Sequence, residues 1–168
     1  LSRATDFFKD WFIKTSSDEL TVIDPYIDFQ SLRIIGEMIN KDPDVDVFIY
    51  TSVESNRKLK SEGCDDIAEG IERFWNDNIA KGSLPSITIT FIKYGSDKGF
   101  PIHDRYIYTD SSMICPGSSL SGIGKRITTV SKQTDSQMQE ALAKFLPIIE
   151  GKQRKFRDQK ISSNSIMF

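Results

Sequence analysis

The sequence has few of the residues that build metal, cofactor or disulfide sites. Its 168 residues include one histidine, His103, and two cysteines, Cys64 and Cys115. Two cysteines cannot form a disulfide framework or a structural zinc site, and no group of histidines and carboxylates has metal-ligand spacing. We therefore expect no metal and no cofactor. So few cysteines are typical of a reducing compartment, and we expect a cytoplasmic location.

Long apolar runs and a strong net charge are absent as well. No stretch has the length and apolar character of a membrane span, and no signal-peptide pattern is present, so we expect no transmembrane segment. The net charge is −2, unlike the basic footprint of most nucleic-acid-binding domains, although a local basic patch is compatible with it. Because the sequence begins at Leu1 rather than methionine, we expect it to be part of a longer multidomain protein.

Length and composition favour one globular domain, which we place in residues 1–150. Hydrophobic residues make up 38% and charged residues 27%, which is ordinary for a chain that buries its own core. Residues 151–168 are predicted to be a basic C-terminal extension. Two interpretations stay open for its cations: a solvated helix face or loose tail, which is the commoner case, and an electrostatic arm toward phosphates or a partner.

Hydrophobic periodicity predicts alternating helices and strands. Apolar residues at helical spacing predict helices over 4–14, 29–40, 56–80 with a break at Gly63, and from a capping box at 134–137 to about Pro147. Short apolar or alternating runs predict strands over 19–24, 45–51, 86–94, 112–115 and 126–130. Strand, helix and strand in succession imply a parallel crossover. The predicted class is α/β, with a mixed, mostly parallel sheet flanked by helices on both faces.

Residues 101–125 contain the main candidates for a functional site. His103 lies two residues before Arg105, and the aromatic and β-branched run that follows predicts a strand. Alternation along that strand would place both side chains on one face. Asp110 and the pair Ser118 and Ser119 come after it. A histidine beside an arginine, with hydroxyls and glycine-rich backbone nearby, is typical of a phosphate site, so His103, Arg105, Ser118 and Ser119 are the predicted phosphate-binding residues.

Asp24 and Tyr26 are predicted to support that site. They follow the strand predicted over 19–24, and ligands gather at the carboxyl ends of strands in open α/β sheets. An equally good interpretation is that Asp24 or Asp28 caps the next helix.

The spacing in residues 103–120 resembles the signature of the phospholipase D superfamily: His, any residue, Lys, four residues, Asp, six residues, Gly-Ser, any residue, Asn. The positions in register are His103, Asp110, Gly117 and Ser118. Arg105 and Leu120 stand where the family has lysine and asparagine. The His-Asp-Arg variant is similar to the phospholipase D-like domain that follows MIT domains, a group associated with phospholipid binding, and to bacterial phospholipase D-like domains.

The resemblance implies a phospholipase D-like fold and a site that handles phosphodiesters without a metal. In catalytic members the histidine is the nucleophile, the cation holds phosphate oxygens, and the aspartate is mainly structural, which would assign catalytic positions to His103, Arg105 and Asp110. The family reaction uses two histidines, so a catalytic chain with one would have to act as a homodimer or pair with a second motif outside this sequence.

Arginine is not equivalent to lysine at an organised site, and leucine cannot replace the oxygen contact of asparagine. We therefore predict a domain that binds a phosphate or phosphodiester group, from a phospholipid headgroup or a nucleic-acid backbone, with impaired catalysis. The alternatives are a metal-independent phosphodiesterase or nuclease acting as a dimer, and a protein-interaction domain in which the site is vestigial.

Overall fold

The computed structural model describes residues 2–61, 66–82, 84–95, 99–123 and 129–168. The helices are α1 (Ser2–Thr15), α2 (Phe29–Met38), α3 (Val53–Ser61), α4 (Ile67–Asn78) and α5 (Asp135–Ile149), with a 3-10 turn at Leu120–Gly122. The strands are β1 (Glu19–Ile23), β2 (Asp46–Ser52), β3 (Ile87–Tyr94), β4 (Tyr106–Tyr108), β5 (Met113–Pro116), β6 (Val130–Lys132), β7 (Lys155–Phe156) and β8 (Gln159–Met167). They form one open sheet in the order β6-β5-β4-β1-β2-β3-β8-β7.

The sheet is mixed, but the expectation that it is mostly parallel is wrong. Among the described strands, β2 pairs in parallel with both β1 and β3, and every other neighbouring pair is antiparallel. The physical reason lies in the connections. Helices join the three central strands, whereas the turn between β4 and β5 is too short for a crossover and forces an antiparallel hairpin.

Helices cover both faces of the sheet because side chains alternate along each strand. Leu20, Val22 and Ile49 point into a core shared with α1, α2 and α4. Ile23 and Ile92 point to the opposite face, into a second core built largely with α5. The α/β class with helices on both faces is therefore as predicted.

Two helix starts follow the local sequence closely. Thr134 caps α5 in a capping box with Gln137, as predicted. Asp28, not Asp24, caps α2, and its side chain accepts a hydrogen bond from the backbone of Ser31. The end of α5 differs from the prediction, because the helix continues through Pro147 to Ile149.

The helical stretch predicted over 56–80, with a break at Gly63, corresponds to α3, which begins earlier at Val53, and α4. Gly63, the predicted break, lies outside the described residues, as does most of the strand predicted over 126–130. None of the helices in the described part of the chain is long and apolar enough to cross a membrane.

Residues 151–168, predicted as a basic extension, contribute β7 and β8 to the sheet. β8 pairs with β3 from Ile161 opposite Tyr94 to Met167 opposite Thr88. A tight turn joins β7 to β8, with left-handed backbone at Arg157 (φ 46°) and Asp158 (φ 63°). Two consecutive residues with positive φ are typical of the two-residue hairpin turn that matches strand twist.

Candidate functional site

Four of the predicted site residues lie where β1 ends and β4 begins: Asp24, Tyr26, His103 and Arg105. β4 is antiparallel to β1, with Tyr106 opposite Ile23. The residue before β4, Arg105, therefore lies beside the residue after β1, Asp24. Topology thus places Asp24 with the motif, at the carboxyl end of the parallel strands, as the sequence led us to expect.

Asp24 joins three separate segments of the chain. Its side chain is almost fully buried. Oδ2 accepts a hydrogen bond from the backbone N–H of Leu120 at 2.9 Å, and Oδ1 accepts one from the backbone N–H of Tyr26 at 2.9 Å. The Nε of Arg105 lies 3.5 Å from the same Oδ1. The carboxylate therefore positions the motif arginine, the loop after β1 and the turn after β5.

The electrostatics of Asp24 reflect opposing effects. Burial raises the pKa of its carboxyl group, and the hydrogen bonds from the backbone of Leu120 and Tyr26, together with Arg105, lower it without cancelling the effect of burial. Burying a charged carboxylate costs the free energy of its hydration, and its hydrogen bonds and the contact with Arg105 have to compensate for that cost.

Arg105 is held on two sides. Asp24 lies behind its Nε, and its Cζ lies 5.5 Å from the centre of the Tyr26 ring, within cation–π range. Its Nε is buried and makes no hydrogen bond of good geometry within the described part of the chain. The side chain is 21% exposed although its Nε is buried, so other atoms of the side chain reach solvent.

Buried hydroxyls immobilise the loop that carries Tyr26. The carbonyl oxygen of Pro25 accepts hydrogen bonds from Ser52 Oγ at 2.6 Å and from Ser55 Oγ at 3.0 Å. These two serines, at the junction of β2 and α3, were not among the predicted site residues. Serine is too common at helix starts for its presence to have identified this role.

Two clefts open on either side of Arg105, and His103 borders both. The larger, here called the polar cleft, has a volume of about 550 Å³ and runs past Gly117 to β6 and α5. The smaller, the tyrosine cleft, has about 350 Å³ and is bordered by Tyr26. The helix α5 contributes Gln137 and Lys144 to the polar cleft, and neither was predicted to be a site residue. Their spacing of seven residues on a predicted helix places them on one face, a signal that was available.

His103 borders the clefts, but it does not lie on a strand as predicted. The prediction placed it on a strand face shared with Arg105, but β4 begins only at Tyr106. His103 lies in the irregular segment before it, with a fully exposed side chain. Its one ion-pair neighbour in the described structure is the adjacent Asp104, with Nδ1 and Oδ1 3.5 Å apart. The imidazole is near Arg105 but is not oriented by packing.

Asp110 is not brought to this site. It is exposed just after β4, at the opposite end of that short strand from Arg105. There it borders a separate cleft with Glu19 and Thr21. The prediction that Asp110 acts together with His103 and Arg105 is therefore not supported by their placement.

Ser118 and Ser119 follow β5 in a partly exposed turn. Their hydroxyl contacts are local, from Ser118 Oγ to the Ser119 carbonyl at 3.4 Å and between Ser119 Oγ and Ser121 Oγ at 3.4 Å. The clefts beside Arg105 include Gly117 but neither serine. Leu120, which stands where the phospholipase D signature has asparagine, buries its side chain in the core, and its backbone N–H donates to Asp24.

The arrangement offers a fixed cation beside two clefts. In the described residues, no three histidine, cysteine or carboxylate side chains form a group that could hold a metal ion. The terminal nitrogens of an arginine that is held at its Nε edge are suited to a planar or tetrahedral oxyanion. No family model, no curated protein and no solved structure matches the chain.

Proposed function

We propose that this domain binds a phosphate or phosphodiester group of a larger ligand at the tip of Arg105, with His103 as a second donor. The observation that carries the proposal is the fixation of Arg105 by Asp24 and Tyr26 between two open clefts. A guanidinium group held in this way loses little conformational freedom on binding, and it can donate two parallel hydrogen bonds to phosphate.

The charges around Arg105 are compatible with an anion, but only locally. Asp24 compensates one side of the guanidinium group, and no other carboxylate in the described structure lies within ion-pair distance of it. Glu140, across the polar cleft, pairs with Lys144 at 2.6 Å. An anion approaching the tip of Arg105 therefore meets a cation whose charge partner among the described residues, Asp24, lies behind it.

Binding is better supported than hydrolysis. A nucleophilic histidine has to be aligned with the phosphorus atom, and an error of about 1 Å can cost on the order of a hundredfold in rate. His103 is fully exposed and Leu120 points into the core, so neither position supplies the alignment of a catalytic site. The dimeric phosphodiesterase remains a prediction that the experiment below also tests.

The single histidine of the chain makes the test direct, because its imidazole gives one resolved set of NMR signals. We would titrate inorganic phosphate and dimethyl phosphate at constant pH and ionic strength, and follow the shifts of His103 in the wild type. Arg105→Ala should abolish the saturable shift. Arg73→Ala is the matched control, since Arg73 is an exposed arginine on α4 paired with Glu69, and it should bind as the wild type does.

Two further arms identify the ligand class and the chemistry. A short-chain phospholipid below its micellar concentration and a single-stranded oligonucleotide distinguish the two sources of a phosphodiester. Hydrolysis of a chromogenic phosphodiester in the presence of a chelator tests the dimeric enzyme. Equal affinity of the wild type and Arg105→Ala would refute the proposed site, and efficient turnover that depends on His103 would replace binding with catalysis as the function.

A further inference from the structure

The two edges of the sheet differ in how they are protected against pairing with another strand. β6 forms one edge, has three residues and ends at Lys132. β8 has nine residues, and β7 covers only its start, through Lys155 opposite Lys160 and Phe156 opposite Gln159. Short strands and lysines are common means of blocking an edge. Beyond Lys160, β8 has neither protection.

Backbone hydrogen bonds show which groups of β8 face outward. Ile87 and Phe168 exchange two backbone hydrogen bonds, at 3.0 and 3.2 Å, so the N–H and C=O groups of Phe168 face β3. Since the direction of these backbone groups alternates along an antiparallel strand, those of Ser163, Ser165 and Met167 face away from β3. The N–H of Ile161 agrees with this assignment, because it donates to the Arg154 carbonyl on the β7 side at 2.8 Å. These three residues lie opposite residues of β3, but in the described part of the chain no strand bonds to their outward backbone groups.

We propose that β8 pairs in the antiparallel direction with β8 of a second copy of this chain, which joins two sheets into one. A two-fold axis at Ser165 places Ser165 opposite itself and Ser163 opposite Met167 of the second copy. Every outward N–H and C=O group of these residues then has a partner. The interface is isologous, and pairing both edges with each other leaves neither exposed.

Charge is what favours a second copy as the occupant. Residues 161–168 contain no charged residue and no proline, so self-pairing opposes no like charges. The cations of the C-terminal segment lie before Ile161. With the axis at Ser165, the two copies of Lys160 are ten residues apart along the joint, about 34 Å at 3.4 Å per residue. That separation is several Debye lengths at physiological salt.

This dimer is separate from the proposed phosphate site. In the joined sheet, nine strand steps separate β4 of one copy from β4 of the other. At about 4.8 Å per step they are about 43 Å apart. The two copies of His103 would not meet, so this association supplies no second histidine for phosphodiester chemistry.

The test is self-association measured by sedimentation velocity over about a hundredfold range of protein concentration, with the affinity taken from the fitted Kd. We expect the wild type to form dimers as concentration rises. Ser165→Lys places two cations directly opposite each other in the dimer. Met167→Lys adds a lysine to the edge strand at a side chain that is 74% exposed, so the change should disturb few contacts within the chain. Each should weaken association by about tenfold or more. Ser131→Lys makes the same exposed serine-to-lysine change on the opposite edge strand, β6, and should have no effect.

Circular dichroism and urea unfolding would establish that each variant folds. If Ser165→Lys does not fold, Met167→Lys still tests the proposal, because Met167 is exposed. A wild type that remains monomeric at every concentration would overturn the proposal. So would dimers that tolerate Met167→Lys, or dimers that Ser131→Lys disrupts.

Discussion

Replacing Asp24 by asparagine is the sharpest test of how the site is organised. The two side chains have the same shape, but the amide has one acceptor oxygen where the carboxylate has two. Oδ2 receives the N–H of Leu120, and Oδ1 receives the N–H of Tyr26 and faces Arg105 Nε. In either orientation of the introduced amide, therefore, its NH₂ group meets a backbone donor, and one hydrogen bond to a charged acceptor is lost.

The expected size of the effect follows from two opposing contributions. Losing a hydrogen bond to a charged group costs about 1.5–3 kcal/mol, and a guanidinium group left without its carboxylate adds to that loss. Removing a buried charge relieves desolvation, which is the main cause that raises the pKa of Asp24. We therefore expect Asp24→Asn to lower the free energy of unfolding by about 2 kcal/mol, which is less than the usual cost of breaking a buried pair.

The assay is urea unfolding at neutral pH, read as a shift in midpoint at constant m-value. Asp110→Asn is the matched control, because it makes the same change at an exposed position and should stay within about 0.5 kcal/mol of the wild type. Phosphate binding should also weaken in Asp24→Asn, since Arg105 loses the group that fixes it. If Asp24→Asn and Asp110→Asn are equally stable and bind phosphate equally well, Asp24 does not organise the site.

Three further changes test other parts of the fold by urea unfolding. Asp28→Asn should cost about 1–2 kcal/mol at neutral pH, because the amide can still cap α2 but turns its NH₂ group toward Lys58, which pairs with Asp28 at 2.7 Å. Burial alone would raise the pKa of Asp28, but Lys58 and the start of α2 hold that pKa below its usual value. The stabilisation from the charged carboxylate is therefore present above the usual pKa and is lost as the pH falls through the pKa of the folded state. The difference in free energy of unfolding between the wild type and Asp28→Asn should accordingly narrow in acid. Leu120→Asn should cost about 3 kcal/mol or more, since it buries an amide in an apolar core; a variant as stable as the wild type would show that the turn can reorient. Gly36→Ala should cost about 1–2 kcal/mol, because an added Cβ would lie 2.6 Å from Ile79 Cγ2, and Ile79→Ala should relieve part of that cost in the double mutant.

Elements with their own hydrophobic pattern could be predicted from the sequence. The helix α1 and the strands β1, β2 and β3 each carry apolar residues at the period of their structure, and their bounds fall close to those predicted. β8 could not be found in this way, because Ser162 to Ser165 are polar and only Ile161 and Ile166 reach the cores. Its strand conformation depends on backbone pairing with β3, and local periodicity does not report a long-range partner.

The direction of strand pairing was harder to predict than the strands themselves. A crossover helix between β1 and β2 signals a parallel pair, and the short turn before β5 signals a hairpin. Nothing local indicates that β4 pairs with β1, or that β8 returns beside β3 after α5. The predicted sheet was mostly parallel because, apart from the hairpin, only the parallel unit had a recognisable sequence signal.

The candidate site shows the limits of a spacing motif in physical terms. Spacing specifies the order of residues along the chain, whereas side-chain direction depends on which backbone has a partner. β1 ends at Ile23, so β4 has no ladder partner before Tyr106, and the strand cannot extend back to His103. His103 lies in an irregular segment for that reason, although the aromatic and β-branched residues that follow it suggested a strand.

The contact between Asp24 and Leu120 spans 96 positions of the chain and determines what the motif positions do. The backbone of Leu120 is committed to Asp24 while its side chain fills the core, so the position that provides an oxygen contact in the phospholipase D signature here serves to hold Arg105 through Asp24. A leucine at this position is therefore consistent with a site that keeps a rigid cation. It also means that Arg105, and not His103, is the residue whose geometry this chain stabilises.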